Sequence, residues 1–381
     1  MPLHIAIDVR HYRDFGIGTY IRNLVAALGR VDRENHYVLV GNPTDAESFQ
    51  NVPPNFHAVY YQRSDRVLID NVAFPLFLRR YSVDLHHVPL NAVPLLMPRP
   101  YVVTIHDMSS IVYERRAGWR NTFELYRFRQ GLLQADRVIA VSEATQRDVE
   151  QVLGIPASRI RMIYSAPDPR FLAEPEGRNR GDHLRILERY GINYPFLLYV
   201  GNIRPQKNIP RLVEAFAVLR GDLESHPAYK DLRLIIIGDE ISRYPQVRRA
   251  VIQTRVEQSV RFLGFVPIET LRVLYETAAA FVFPSLYEGF GLPPLEAMAC
   301  GTPVVASNVS SLPEVVGDAA IGVNPENVFD IARGLREVLL DADLRSELRQ
   351  RGFEQVKRFN WDWTARRVLE TYKEVARDRD S

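Results

Sequence analysis

The stretch Phe281 to Asn308, FVFPSLYEGFGLPPLEAMACGTPVVASN, restricts the fold more than any other. Phe281–Phe283 is a short apolar run closed by Pro284, the pattern of a buried strand. Pro293 and Pro294 suit the first turn of a helix, where a missing N–H goes unnoticed. Gly301 sits where that helix needs a left-handed cap, so the helix is short. Pro303–Ala306 is then a second buried strand. Strand, glycine loop, helix and strand in so few residues are one turn of a parallel α/β sheet.

The same stretch carries two carboxylates with seven residues between them. Glu296 falls in the predicted first helical turn, where the macrodipole favours negative charge. Glu288 has no such excuse, since it lies between Tyr287 and Gly289 on the loop. The amides of Gly289, Phe290, Gly291 and Leu292 surround it. Glycines let backbone approach a ligand, and amides at a helix start hold phosphate oxygens. Carboxylates on either side of such a cradle suit a nucleotide-sugar, with Glu288 on the sugar and Glu296 on the ribose. YEGFGLPPLEAMACGTPVVAS also resembles the E-x7-E signature of the retaining GT-B glycosyltransferases of family 4 (group 1). Similarity extends over nearly the whole chain and is strongest from Phe196 to Glu314.

Composition excludes several classes. The chain has 381 residues, enough for two domains, with a net charge of +2 that carries no bulk signal for nucleic acid or membrane. Its single cysteine, Cys300, forms no internal disulfide and fits a small buried thiol in a reducing, cytoplasmic setting. The start MPLHIAIDVR lacks the pattern of a signal peptide, and no apolar run reaches bilayer length.

Strand-like runs alternate with helical periodicity throughout. In the first half the strands are Leu3–Val9, Tyr37–Val40, Ala58–Tyr61, Leu85–Val88, Tyr101–Ile105, Arg137–Val141 and Ile160–Ile163. Gly16 and Gly18 fall in the turn before a helix whose Ile21, Leu24, Val25 and Leu28 share a face. Two glycines there are not a full dinucleotide fingerprint, though GIGTYIRNL resembles the family's first glycine loop. Val67–Arg80 reads as a helix kinked at Pro75. Ser142 is positioned to cap the helix that follows it. Pro167–Asp182, rich in Pro, Gly and charge, reads as the connection between halves. Beyond it the strands are Phe196–Val200, Leu232–Ile237, Val260–Leu263 and Ala319–Val323, besides the pair that opened this section. The predicted fold is α/β, two doubly wound domains: residues 1–170, then 183–359, with 360–381 as a helix that the resemblance sends back to the N-terminal domain. The ligand is expected between them, by the switch points.

Further candidates stand at predicted strand ends. His106 and Asp107 follow Tyr101–Ile105, where parallel sheets bind ligands. Arg204 and Lys207 follow Phe196–Val200 in GNIRPQKN, placed to neutralise a pyrophosphate. The motif resembles the family's phosphate loop. Gly238, Phe265 and Val266 are assigned to the base pocket, and Gly16 to the donor side. Asp107 and His87 are candidates for acceptor contact, His87 being equally readable as an ordinary strand-end histidine. No D-x-D or His/Cys spacing suggests a metal, and no cofactor is expected.

The resemblance implies a retaining transfer of a hexose, with mannose favoured. The donor would be GDP- or UDP-linked and the acceptor a glycan or lipid-linked glycan in polysaccharide biosynthesis. Glu288 would hold sugar hydroxyls and His106 would sit near the transferred sugar. Arg204 and Lys207 would stabilise the leaving diphosphate, which itself takes the acceptor's proton. A nucleotide-sugar epimerase on the same fold and a catalytically silent nucleotide-sugar-binding subunit are the alternatives. A dehydrogenase lacks its fingerprint, and a phosphorylase lacks a cofactor-lysine motif. Lastly, Arg116, Arg120, Arg127 and Arg129 interleave with Trp119, Phe123, Tyr126 and Phe128 around a helix over Trp119–Leu133. The economical reading is a solvated face over a core stripe. Peripheral contact with an anionic membrane is the other.

Overall fold

The computed structural model describes residues 1–14, 16–62, 69–90, 93–112, 119–172, 180–238 and 241–380. The chain divides into two units, Met1–Ala166 with Phe359–Ser381, and Pro167–Arg358. The first contains β1 (His4–Asp8), β2 (His36–Gly41), β3 (Phe56–Tyr60), β4 (Leu85–Val88), β5 (Tyr101–Ile105), β6 (Arg137–Ala140) and β7 (Ile160–Met162). They form one sheet in the order β3-β2-β1-β4-β5-β6-β7. The second contains β8 (Phe196–Val200), β9 (Arg233–Ile237), β10 (Val260–Gly264), β11 (Ala280–Phe283), β12 (Val304–Ser307) and β13 (Ala320–Val323). Their order is β10-β9-β8-β11-β12-β13.

Every pairing in both sheets is parallel. Parallel neighbours need crossovers, and the helices that supply them cover both faces. Central strands are therefore mostly apolar: β5, β8 and β11 are buried along nearly their whole length. Each sheet reverses strand order once, at β1/β4 and at β8/β11. These are two Rossmann-like domains, and the reversals are where such sheets take ligands.

The last helix, Trp361–Asp380, belongs to the first unit although it follows the second in sequence. Trp361, Ala365, Val368, Tyr372 and Val375 form its buried stripe at helical spacing. Trp361 meets the Tyr20 ring edge-on at 5.5 Å between centroids, and Thr364 Oγ1 donates to Tyr164 O at 2.8 Å. Arg137 pairs with Glu374 and Asp378, and Arg161 with Glu374.

Tyr372 also decides what His87 does. The His87 ring is 1% exposed, with Nδ1 2.6 Å from Tyr372 Oη and Nε2 2.8 Å from Thr104 Oγ1. Both nitrogens are thus committed inside the protein. His87 has no atom left for an acceptor, which corrects that expectation: its work is to join helix to sheet.

The stretch Pro167–Asp182 starts at the boundary between the two units. The second unit begins at Pro167, and Phe171 packs edge-on to Tyr275 with centroids 5.6 Å apart. Asp168 is buried and accepts from Arg170 N and Nε. Proline and charge suggested a linker, yet one aromatic anchors its first part; residues 173–179 lie outside the described set. So do 67–68 of the expected helix Val67–Arg80, whose described part is Asp70–Leu78.

Three histidines in the first unit are held neutral. Burial pushes His86 and His106 down to about 4 and His87 to about 3. Their folded values lie below the unfolded one near 6.5, so below that pH the unfolded chain binds more protons. Stability is complete above about pH 6.5 and declines as pH falls toward about 4, by about 1.4 kcal/mol per pH unit for each histidine. All three tryptophans, Trp119, Trp361 and Trp363, lie in this unit. Urea unfolding followed by tryptophan fluorescence should therefore show a lower midpoint near pH 5 than near pH 7. An unchanged midpoint would mean that these rings are solvated in the folded state.

Candidate active site

The second unit's reversal brings two loops side by side, one after β8 and one after β11. The first makes a short 3-10 turn, Pro205–Lys207, and ends at Asn208 with φ 61°. Asn tolerates this left-handed conformation better than most residues. The conformation aims its side chain across the gap, where Nδ2 donates to Pro284 O at 3.0 Å and Pro325 O at 2.7 Å. Leu286 N donates to Gln206 O at 2.7 Å. With both backbones locked together, Lys207 Nζ reaches Glu288 Oε1 at 2.6 Å and Oε2 at 2.7 Å. The two side chains are only 16% and 10% exposed. Nζ also lies 5.4 Å from the Phe283 ring centroid.

A third loop holds Glu288 by its backbone. Glu288 N donates to Ser310 Oγ at 3.1 Å, and Ser310 Oγ is 2.7 Å from Glu288 O. Ser311 Oγ contacts Glu288 O at 3.0 Å and Phe290 O at 2.7 Å. Sequence reasoning missed Asn208, Ser310 and Ser311. The available signals were an Asn before Ile209-Pro210 and two serines shortly before Pro313, both at ends of parallel strands.

The helix that follows runs Leu292–Ala299, with Pro293 and Pro294 in its first turn. Gly291 precedes it at φ 117°, and a Cβ there would lie 2.8 Å from Leu312 Cδ2. Gly289 and Phe290 are buried, while Leu292 is half-buried. Glu296 is the fifth residue of this helix and not in its first turn. The helix already begins at Leu292, ahead of its prolines, so Glu296 lies past the first turn and the macrodipole does not explain it. Tyr275 Oη donates to Glu296 Oε2 at 3.1 Å. Glu296 keeps some surface, but its carboxyl is enclosed. Burial pushes that carboxyl up to about 7; the Tyr275 hydrogen bond opposes this, Asp168 reinforces it and Arg170 opposes it.

The ends of β8, β9 and β10 are joined through glycines. Gly201 N donates to Ile237 O at 2.9 Å, and Gly238 N to Gly264 O at 3.1 Å. Gly238 has φ 154°, and a Cβ there would stand 2.0 Å from Gly201 O, so no other residue fits. Phe265, 56% exposed, and half-buried Val266 follow β10 directly. Arg204 stands exposed on the β8 loop. Eleven predicted residues therefore lie on elements at or beyond the ends of β8–β11, and Lys207 and Glu288 among them are joined directly.

In the first unit, Gly16 is the exposed N-cap of the helix Ile17–Val31. His106 is half-buried past β5, with Nε2 3.0 Å from Pro89 O. A carbonyl only accepts, so Nε2 carries the proton of the neutral ring. Asp107 Oδ1 accepts from Ser109 N at 2.9 Å and from its Oγ at 2.7 Å, closing a turn. On the helix Trp119–Gln134, Arg129 Nε donates to Leu153 O at 3.1 Å, while Tyr126 is 55% exposed. Arg116 lies outside the described residues, as do the side chains of Trp119, Arg120 and Phe123. Among the described residues no group of three or more His, Cys, Asp or Glu could hold a metal ion, and no helix is long and apolar enough to cross a membrane.

Two Rossmann-like domains in one chain, each with one reversal of strand order, are the architecture of a GT-B type of protein. Comparison with known proteins agrees. The family described as Glycosyl transferases group 1 matches residues 185–355, and Glycosyltransferase Family 4 matches residues 16–171. O-antigen chain mannosyltransferase B of Escherichia coli is 34% identical over 298 residues, 78% of this chain and 76% of that protein. The serotype-specific mannosyltransferase WbdA of the same organism is 32% identical over 282 residues, covering 72% of this chain but 34% of its own length. Among solved structures, Anabaena HepE in complex with UDP-glucose superposes with TM-score 0.76 over 98% of this chain and 100% of its own, at 18% identity. The chain belongs to the group 1, family 4 glycosyltransferases.

The lysine–glutamate pair should behave as one unit. Lys207→Met and Glu288→Gln are each expected to destabilise the protein by about 1–3 kcal/mol, because each leaves a mostly buried partner unmatched. The double variant should lose less than the sum, since no charge is then stranded. Urea unfolding by circular dichroism measures all three; strict additivity would show that the pair is not coupled.

Proposed function

We propose that this glycosyltransferase moves mannose, with retention of configuration, from a nucleotide-sugar to a glycan or lipid-linked acceptor, and that GDP-mannose is preferred over UDP-linked donors. The mannosyl assignment is supported by the two Escherichia coli relatives, both named as mannosyltransferases. A nucleotide-sugar donor is in keeping with the UDP-glucose held by the structurally similar HepE. The observation that carries the reading is the Lys207–Glu288 pair at the β8/β11 reversal.

In the resting protein each charge satisfies the other. A donor would exchange that contact for two better ones, diphosphate oxygen on Lys207 and sugar hydroxyl on Glu288. Arg204, on the same loop, adds bidentate capacity for phosphate. Cations placed beforehand stabilise charge developing on the leaving diphosphate. In this proposal the diphosphate accepts the acceptor's proton, and neutral His106 lies near the transferred sugar. Phe265 and Val266 flank the base, with the Gly238 backbone beside them. Glu296 takes ribose hydroxyls. Near neutral pH its carboxyl, raised to about 7, stands between charge states, and a hydroxyl donor favours the ionised form. No metal or cofactor takes part, and the setting is cytoplasmic.

Donor hydrolysis screened over GDP- and UDP-sugars by mass spectrometry tests the assignment. Mannose release from GDP-mannose should lead, and a clear preference for a UDP-sugar would overturn the donor choice. Glu288→Ala should abolish transfer in a folded protein. Arg204→Ala and Lys207→Ala should each weaken nucleoside diphosphate binding by roughly 10- to 100-fold in calorimetry. Unaltered affinity in both would remove the phosphate role.

Activity should survive EDTA. Loss that Mg²⁺ or Mn²⁺ restores would refute the metal-independent mechanism. The anomeric signal of the product, read by NMR, decides between retention and inversion.

A further inference from the structure

One oxygen of Glu296 is held and the other is not. Tyr275 Oη donates to Oε2 at 3.1 Å. Among the described residues Oε1 has no hydrogen-bond or ion-pair partner, and Glu296 keeps some surface. An enclosed carboxylate that only tied two helices together would have both oxygens matched.

Tyr275 is wholly buried on the helix Ile268–Thr277. Phe171 and Phe281 meet its ring edge-on, with centroids 5.6 and 5.5 Å away. Its carbonyl accepts from Thr302 Oγ1 at 2.5 Å. Packing and backbone therefore fix the ring together, and the hydroxyl is aimed by both. Burial holds the phenol well above its ordinary value near 10, so it stays a donor. The other groups around Glu296 act on it without bonding it. Asp168 and Arg170, at the start of the unit, bear on its charge with opposite signs. Cys300, at the end of the same helix, stays a neutral thiol because burial pushes it up to about 12. Beside Tyr275, Arg272 Nε pairs with Glu276 at 2.7 Å, and Glu269 lies in the first turn. On the remaining helices against this one, Arg349 Nε donates to Gly301 O at 2.8 Å and Glu314 stands on Leu312–Val316.

We propose that Tyr275 is the positioning residue of the ribose subsite: its hydroxyl pins one oxygen of Glu296 so that the other is left for a ribose hydroxyl of the nucleotide donor. A carboxylate accepts on both oxygens, so the two bonds do not compete. Holding the side chain beforehand removes rotamer freedom that the ligand would otherwise have to freeze. The same bond favours the ionised form, which is the form that accepts from ribose. Glu296 stands at about 7, and the Tyr275 bond lowers it against burial. Contact with ribose is thus present above that value and lost as pH falls through it. Without the hydroxyl the carboxyl rises, and the loss comes at higher pH. The proposal rests on the reading of Glu296 as a ribose contact, and it adds the residue that aims it.

Calorimetry with the whole protein tests it from pH 6 to pH 9, using whichever of GDP and UDP binds more tightly and its 2′-deoxy and 3′-deoxy analogues. For the native chain at pH 8, one deoxy analogue should bind about 10-fold more weakly than the parent, and the difference should fade below pH 7. Tyr275→Phe, which keeps the packed ring, should lose most of that difference at pH 7 and regain part of it by pH 9. Affinity for the weaker analogue should be the same in both proteins, since its diphosphate still meets Arg204 and Lys207. Equal weakening of parent and analogue would mean a merely structural hydroxyl and would overturn the proposal. So would native discrimination at an unmoved pH midpoint in Tyr275→Phe. Glu296→Asp gives a second test that leaves Tyr275 in place. One methylene shorter, the carboxylate reaches Tyr275 or ribose but not both, so discrimination should fall at every pH; full retention would refute the two-sided bridge. Native protein that ignores both deoxy positions would remove the ribose role of Glu296 and this proposal with it, while leaving the diphosphate role of Lys207 standing.

Discussion

Both sheets are entirely parallel, and the rest of the structure follows from that constraint. A parallel pair cannot be closed by a tight turn, so every strand must be followed by a crossover before the next begins. All carboxyl ends then point the same way within a sheet. Loops that are distant in sequence gather at one edge, and where strand order reverses, two of them diverge to leave room. Lys207 and Glu288 are 81 positions apart, yet Nζ and Oε1 stand 2.6 Å from each other for this reason. Asp70 and Arg127 line one cavity by the same geometry in the first unit.

Each site then depends on polar groups that fasten loops together. In the second unit Asn208 grips two carbonyls from different loops, and two serines hold the Glu288 backbone. These are neutral contacts that place a charged pair. In the first unit the frame runs from Tyr372 through His87 to Thr104. Neutral histidine suits that task because one ring nitrogen donates while the other accepts. Burial keeps it neutral, at the expense of acid sensitivity.

Strands β4, β5 and β8 lie where their apolar runs and neighbouring glycines and prolines said they would. Ser142 caps the next helix through Thr145 N at 2.9 Å, as its position implied. Errors arose where a residue's partner lies far away. Glu296 looked like a helix-start carboxylate, but its helix begins four residues earlier and it faces Tyr275 from another helix. His87 could be read as an acceptor contact or as an ordinary strand-end histidine, and a helix nearly three hundred residues later covers it.

Local chemistry in the sequence by itself determined the alternation of strands and helices, the glycine loop around Glu288, and the cations after β8. Each depends on the chain's own steric and polar preferences over a few residues: apolar runs bury, prolines start helices, and glycines admit backbone. The family resemblance was visible there too, because its signature is itself local. Only the tertiary structure decided that Lys207 grips Glu288, that Asn208 and the serines hold the loops, and that Asp70 keeps one oxygen without a donor. Those facts are properties of pairs brought together by crossovers, and a pattern read along one strand does not encode the distance to another.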